Sequence, residues 1–217
     1  MSTSTAKGPH QGQPVLRIGA SLDDAKGAFI LVHGRGASAE SILELGPLIG
    51  GEEFAFLAPQ AAGHTWYPNS FLATLEQNEP GLSSGLLTID GLIKQLEESG
   101  IPSDRILLGG FSQGACLVSE YAARHPKKYG GLLVFSGGVV GPLGMERTYE
   151  GSLENTPVFI GCSDKDFHIP LERVNETADV FESMGAKVNK KIYPDMGHTI
   201  IKDEINHARE IALQLLQ

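Results

Sequence analysis

The sequence predicts an α/β fold, a mostly parallel central sheet with helices packed on both faces. Three observations carry the prediction. Short apolar runs of strand length alternate with amphipathic stretches of helix length along most of the chain. One strand-to-helix joint reads Gly110-Phe111-Ser112-Gln113-Gly114, a G-x-S-x-G turn. No repeat, low-complexity tract or linker divides the chain, so residues 15–217 read as one domain and residues 1–14 as a disordered polar tail.

The elements follow in order. Val15-Leu16-Arg17-Ile18 alternates as an edge strand, and Ala28-Phe29-Ile30-Leu31-Val32 is apolar throughout, as a strand buried on both faces should be. It ends at His33-Gly34-Arg35-Gly36, before a helix expected from an N-cap at Ser38 to Ile49 and closed by Gly50-Gly51. Phe54-Ala55-Phe56-Leu57-Ala58 is the next strand, stopped by Pro59. The long irregular segment 60–81 follows, and loops of that length in a compact domain are usually functional. Leu82, Leu86, Ile89, Ile93 and Leu96 mark one face of a helix ending at Gly100. The strand from Ile106 breaks at the glycine pair and turns into a helix over 114–124. Leu132-Leu133-Val134-Phe135-Ser136 is a strand leading to a glycine-rich loop, 137–155, and another strand spans 157–161. Pro170 suits the first turn of a helix closed by Gly185, residues 187–193 alternate as a last strand, and a final helix carries Ile201, Ile205, Ala208, Ile211 and Leu215.

Composition limits the function. A chain of 217 residues suffices for a substantial core. The formal net charge is −9 with no block of Lys or Arg, which argues against recognition of nucleic-acid phosphates. No run of apolar residues is long enough for a membrane span, and the start of the chain lacks the apolar core of a secretory signal. The two cysteines, Cys116 and Cys162, read as buried thiols of a cytoplasmic protein.

The G-x-S-x-G turn is where chemistry is expected. A serine at the tip of so tight a turn has a strained backbone, and side chains two positions before and after it would collide. The helix begins directly behind, with free N–H groups facing any negative charge that forms. A serine hydroxyl needs a base to take its proton and a third group to hold that base. His198, in Gly197-His198 after the last strand, is the expected base. Asp164 and Asp166, after the 157–161 strand, are the candidate acids, and all three loops leave the carboxyl edge of the sheet. The expected oxyanion donors are the main-chain N–H groups of Gln113 and of Arg35, whose flanking glycines let the backbone approach a substrate. His33 reads as a structural histidine fixing its loop. His10, His64, His125, His168 and His207 read as ordinary, with His168 open to a place near the site. Trp66, Tyr67 and the Arg35 side chain are candidate substrate-binding residues, with Trp66 either core or pocket wall and the Arg35 side chain facing water or an anionic substrate group.

His33-Gly34-Arg35-Gly36, Gly110-Phe111-Ser112-Gln113-Gly114, Asp166-Phe167-His168-Ile169-Pro170 and Gly197-His198, taken together, resemble the phospholipase/carboxylesterase family, from about residue 26 to the end. That family includes acyl-protein thioesterases and small bacterial carboxylesterases. The resemblance implies a compact α/β-hydrolase fold with little or no lid and selects Asp166, through its Asp-x-x-(Val/Ile)-Pro pattern, as the acid. The chain departs from the thioesterases at Arg35, where they carry an aliphatic residue, and at Pro68-Asn69, where they carry an acid. Trp66-Tyr67-Pro68 instead resembles the bacterial esterase branch.

The expected activity is that of a serine carboxylesterase acting on short- to medium-chain esters through an acyl-enzyme, with Ser112 as nucleophile, His198 as base and Asp166 as orienting acid. Acyl-thioesterase or lysophospholipase activity by the same triad is the alternative, and a non-catalytic ligand-binding receptor on the same fold is a further one. No cofactor or metal is expected. A small-molecule ester is the expected partner, without nucleic acid or a membrane span, and a homodimer is left open.

Overall fold

A computed structural model describes residues 8–217. Its strands β1 (Val15–Gly19), β2 (Gly27–Val32), β3 (Phe54–Pro59), β4 (Ile106–Phe111), β5 (Gly131–Phe135), β6 (Pro157–Ser163) and β7 (Lys187–Tyr193) form one seven-stranded sheet in the order β1-β3-β2-β4-β5-β6-β7. Only β1 runs antiparallel, pairing Val15 with Pro59 at the edge. All the other pairings are parallel. This is the mostly parallel sheet that the alternation of strand and helix implied, and the α/β-hydrolase fold that the family resemblance implied.

The period-two alternation of the strands sorts their side chains into two cores. Ala28, Ile30, Val32, Leu108, Val134 and Ile160 point to one face, covered by α3 (Gly81–Glu98), α4 (Gln113–Arg124) and α5 (Leu171–Ser183). Phe29, Leu31, Phe56, Leu107, Leu133 and Phe159 point to the other, covered by α1 (Ala39–Leu43), α2 (Gly46–Ile49) and α6 (Lys202–Gln214). No strand of the central group has a polar face because both faces are roofed by helices.

Two details differ from the sequence reading. The single helix expected over 38–49 is two short ones. Ser38 does cap the first, its Oγ accepting the Ser41 N–H, but Pro47 lies in the first turn of the second. Its ring would meet the carbonyl of Leu43 in a continuous helix, so the chain breaks and restarts. Of the disordered tail expected over 1–14, residues 1–7 lie outside the described residues, and 8–14 are folded onto the domain. His10 is 3% exposed. Its Nε2–H donates to the Trp66 carbonyl at 2.8 Å, its Nδ1 accepts the Ala62 N–H at 3.1 Å, and its own N–H donates to Ser84 Oγ at 2.9 Å. Burial lowers its pKa, so it serves as a neutral hydrogen-bonding insert.

The carboxyl ends of β2 and β4 lie side by side, with Val32 opposite Gly110. The loops after β2, β3, β4, β6 and β7 therefore open onto one edge of the sheet. Behind the last two, Glu204 of α6 is buried against β6. Its Oε2 accepts the Ile201 N–H at 2.8 Å, while Oε1, lodged where a side chain on Gly161 would sit, has no partner among the described residues. Burial pushes its carboxyl from 4.5 up to about 7.

The raised pKa sets a sign for stability. The folded protein holds this proton more tightly than the unfolded chain, so the contribution is full below about 4.5 and is lost as pH rises through about 7. Glu204→Gln should therefore leave the melting temperature nearly unchanged at pH 5 and raise it at pH 8, a difference on the order of 3 kcal/mol in stability. Thermal melts of both proteins across that range check this; a parallel pH dependence in the two would contradict it.

Candidate active site

The joint between β4 and α4 is held by contacts with no room for side chains. A Cβ on Gly110 would lie 2.5 Å from the Gly114 carbonyl carbon, and one on Gly114 would overlap the main-chain oxygen of Val32. The first glycine thus avoids the second, as the motif implies, while the second avoids the end of β2. Between them Ser112 adopts φ 55° and ψ −119°, a conformation that non-glycine residues seldom occupy. The surroundings hold it there: its N–H donates to the Phe135 carbonyl and its carbonyl accepts the Cys116 N–H, both at 3.0 Å.

Three sequence-predicted residues meet at the sheet edge. Ser112 Oγ lies 2.8 Å from His198 Nε2, and His198 Nδ1 lies 2.7 Å from Asp166 Oδ2. In the tautomer that satisfies both contacts, Nδ1–H donates to the carboxylate and Nε2 accepts from the serine hydroxyl. The Asp166 side chain is fully buried. Its Oδ1 accepts the N–H groups of His168 at 2.8 Å and Ile169 at 3.1 Å. Burial alone would raise its pKa, but the hydrogen bond from His198 and those from the loop N–H groups outweigh it and hold the carboxyl below its ordinary value. The Cys162 thiol also approaches Oδ2, at 3.8 Å. Burial, then the Asp166 charge, pushes that thiol up to about 12, so it stays protonated and donates.

Asp164 does something else. Its Oδ1 accepts the Asp195 N–H at 2.9 Å, tying the acid loop to the loop that carries His198. Ser163 Oγ reinforces that tie by accepting the N–H groups of Lys165 at 3.1 Å and Gly197 at 3.3 Å. The Phe111 ring, the x before the serine in G-x-S-x-G, packs on the His198 ring at 4.8 Å, and His168 meets its edge at 4.7 Å.

In front of Ser112 lies a cavity of about 490 Å³, lined by Tyr67, Phe71, Phe111, Cys116 and Ile169 together with Arg35 and Gln113. Tyr67 thus lines it, and its hydroxyl has no hydrogen-bond partner among the described residues. Trp66 does not. It is fully buried, with its Nε1–H donating to the His33 carbonyl at 2.9 Å, so of the two places open to it, core or pocket wall, it takes the core and is not a candidate substrate-binding residue. The Arg35 side chain is exposed beside the cavity, where it donates to the carbonyls of Tyr67, Pro68 and Asn69. His33 is fully buried, with Nε2 accepting the Ala61 N–H at 3.1 Å, and so holds its loop. Phe71 and Ile169 were not singled out by the sequence. The length of the 60–81 loop was the available hint for Phe71, and the proximity of Ile169 to Asp166 for the other. Among the described residues no group of His, Cys, Asp and Glu is arranged to hold a metal ion, and no helix is long and apolar enough to cross a membrane.

Residues 14–214 match the model of the phospholipase/carboxylesterase family. The chain is 30% identical over 203 residues to acyl-protein thioesterase 1 of Eremothecium gossypii, covering 85% of this chain and 86% of that one. It is 26% identical to acyl-protein thioesterase 1 of Saccharomyces cerevisiae, over 88% of this chain and 93% of that one. Among solved structures, the phospholipase/carboxylesterase of Dyadobacter fermentans DSM 18053 superposes with a TM-score of 0.88 at 38% identity, covering 95% and 97% of the two chains.

The joint generates a stability prediction. Gly114→Ala should destabilise the protein by on the order of 3 kcal/mol, because its methyl group would meet immovable backbone. Gly91→Ala, in α3 with nothing within 4 Å of an added Cβ, should stabilise it by about 0.5–1 kcal/mol. Urea denaturation of both variants measures the contrast; equal midpoints would contradict it.

Proposed function

The chain belongs to the phospholipase/carboxylesterase family and is a carboxylic ester hydrolase, and from that premise we propose that Ser112, His198 and Asp166 are its catalytic residues, acting on short- to medium-chain esters. The observation that carries the proposal is the continuous hydrogen-bonded chain from Ser112 Oγ through the imidazole to a buried carboxylate. Ser112 Oγ attacks the ester carbonyl as His198 Nε2 takes its proton. The imidazolium that forms is stabilised by Asp166, which also fixes its orientation and tautomer. Nε2 then protonates the departing alcohol, leaving an acyl group on Ser112. Water activated by the same nitrogen releases the acid.

The negative charge on the carbonyl oxygen is received by the main-chain N–H groups of Gln113 and Arg35. Gln113 is the first residue of α4, where an N–H has no intrahelical acceptor, and Arg35 lies in the loop that follows β2. The strained turn at Ser112 has a use in this scheme, since it lifts the hydroxyl out of the sheet at the end of a helix whose N-terminus favours the oxyanion.

The cavity volume falls in the lower half of the roughly 300–1,000 Å³ range of small-molecule sites, which supports short or medium acyl groups over long ones. A thioester reading is favoured by the names of the acyl-protein thioesterase relatives. A panel of nitrophenyl esters from acetyl to palmitoyl, with an octanoyl thioester beside the octanoyl ester, separates the two. Turnover should be highest for butyryl to octanoyl and low for palmitoyl. The two unpaired, buried cysteines support a reducing compartment such as the cytoplasm.

Variants test the roles. Ser112→Ala should abolish turnover. Asp166→Asn should lower kcat about 10⁴-fold by stabilising the wrong imidazole tautomer. Asp164→Asn keeps an oxygen for the Asp195 N–H and should cost no more than about tenfold, the scale of one weakened hydrogen bond. Steady-state kinetics on one ester decides; a folded Asp164→Asn protein more impaired than Asp166→Asn would overturn the assignment of the acid.

A further inference from the structure

The two residues assigned the oxyanion N–H groups come from different loops, and their side chains reach the same short stretch of the 60–81 loop. Arg35 Nη2 donates to the Tyr67 carbonyl at 2.8 Å and to the Asn69 carbonyl at 2.6 Å, while Nη1 donates to the Pro68 carbonyl at 3.0 Å. Gln113 Nε2 donates to that same Tyr67 carbonyl at 2.9 Å, and its Oε1 accepts the Trp66 N–H at 2.9 Å. The Tyr67 oxygen thus uses two lone pairs to join the residues whose N–H groups must converge on one substrate atom.

From these contacts we propose that the 64–69 stretch is a brace setting the distance between the two oxyanion donors, and that the Arg35 guanidinium is a positioning residue for the main-chain N–H of its own residue. The proposal rests on the ester-hydrolase reading of Ser112 and deepens it.

The physical need is specific. Arg35 is flanked by Gly34 and Gly36, and Gly36 has φ +76°, so the backbone there approaches a substrate closely but has little stiffness of its own. A donor off its mark by an ångström forfeits much of the transition-state stabilisation it could give. The side chain supplies what the glycines cannot. A guanidinium is planar, always charged and forked, so it spans three successive carbonyls, whereas an ammonium on a flexible stem holds at best one or two. The brace is fixed at its other end: Trp66 Nε1–H donates to the His33 carbonyl at 2.9 Å, and the Gly36 N–H donates to the His64 carbonyl at 2.7 Å. These contacts commit three of the five guanidinium N–H groups to the loop, so the side chain serves the brace first.

The test compares Arg35→Met, which keeps the aliphatic stem, and Arg35→Lys with the parent. Two substrates are used, nitrophenyl butyrate and the nitrophenyl monoester of succinic acid, which carries a carboxylate. Active sites are titrated with a fluorophosphonate so that kcat refers to competent enzyme only. Arg35→Met should lose about 10- to 100-fold in kcat on both substrates with KM nearly unchanged, a smaller loss than deleting an oxyanion donor outright. Its affinity for a trifluoromethyl ketone, which mimics the tetrahedral intermediate, should fall in parallel, and Arg35→Lys should recover only a small part. A loss confined to KM for the anionic ester would overturn the proposal in favour of an anion receptor, and wild-type kcat on both substrates would overturn it outright. Ser112→Ala, assayed alongside, keeps the two readings apart: turnover persisting there sinks the assignment of Ser112, whereas an unimpaired Arg35→Met beside an inactive Ser112→Ala sinks the brace alone.

Discussion

The contact between Gly114 and the end of β2 is the constraint on which the site depends. At that point the first turn of α4 rests backbone to backbone on Val32 and His33, closer than any side chain permits. Strand β4 ends one position from β2, so the chain between sheet and helix has only Ser112 in which to reverse. The unusual φ and ψ of that residue follow from the packing and are not an independent feature. The same closeness brings the N-terminus of α4 beside the loop after β2, where Arg35 sits. The proposed nucleophile and oxyanion donors are thus products of one approach of helix to sheet.

The groups around this point sit on loops, yet hydrogen bonds tie those loops to one another. His10, His33 and His64 each bond the main chain of a different loop or strand end. Gln113, Trp66 and Arg35 extend that lattice across the mouth of the sheet. On the far side Asp164 and Ser163 bind the His198 loop to the Asp166 loop, and the acid itself is neutralised in part by two loop N–H groups. Irregular segments can be rigid when side chains satisfy their carbonyls and N–H groups, and such rigidity is what a reaction requiring sub-ångström placement demands.

What the sequence made legible was whatever is enforced locally or by period. Continuous apolar runs announced strands covered on both faces, and the two glycines of the elbow announced a turn that no other residue fits. Pro47 carried a readable warning of the break in the first helix, which the apolar pattern around it obscured. The remaining differences are long-range. Nothing near His10 in the sequence indicates that it inserts between Trp66 and Ser84, some 56 and 74 residues away. The burial of Trp66 and the anchoring of the Arg35 side chain depend likewise on which carbonyls the 60–81 loop presents after folding. The choice between Asp164 and Asp166 was also closed to spacing, since either lies on the correct loop. It took the family resemblance to prefer Asp166, and the structure supplies the geometry, with Asp166 against the imidazole and Asp164 against the neighbouring main chain.

The central claim is that Ser112 carries the acyl group between two half-reactions. Rapid mixing with a nitrophenyl ester, acid quench and mass spectrometry of the proteolysed chain tests it directly. The account predicts one acyl group per chain, on Ser112, formed together with the first equivalent of nitrophenol and preceding the free acid. Release of acid with no acylated peptide, or an acyl group on any other residue, would contradict it.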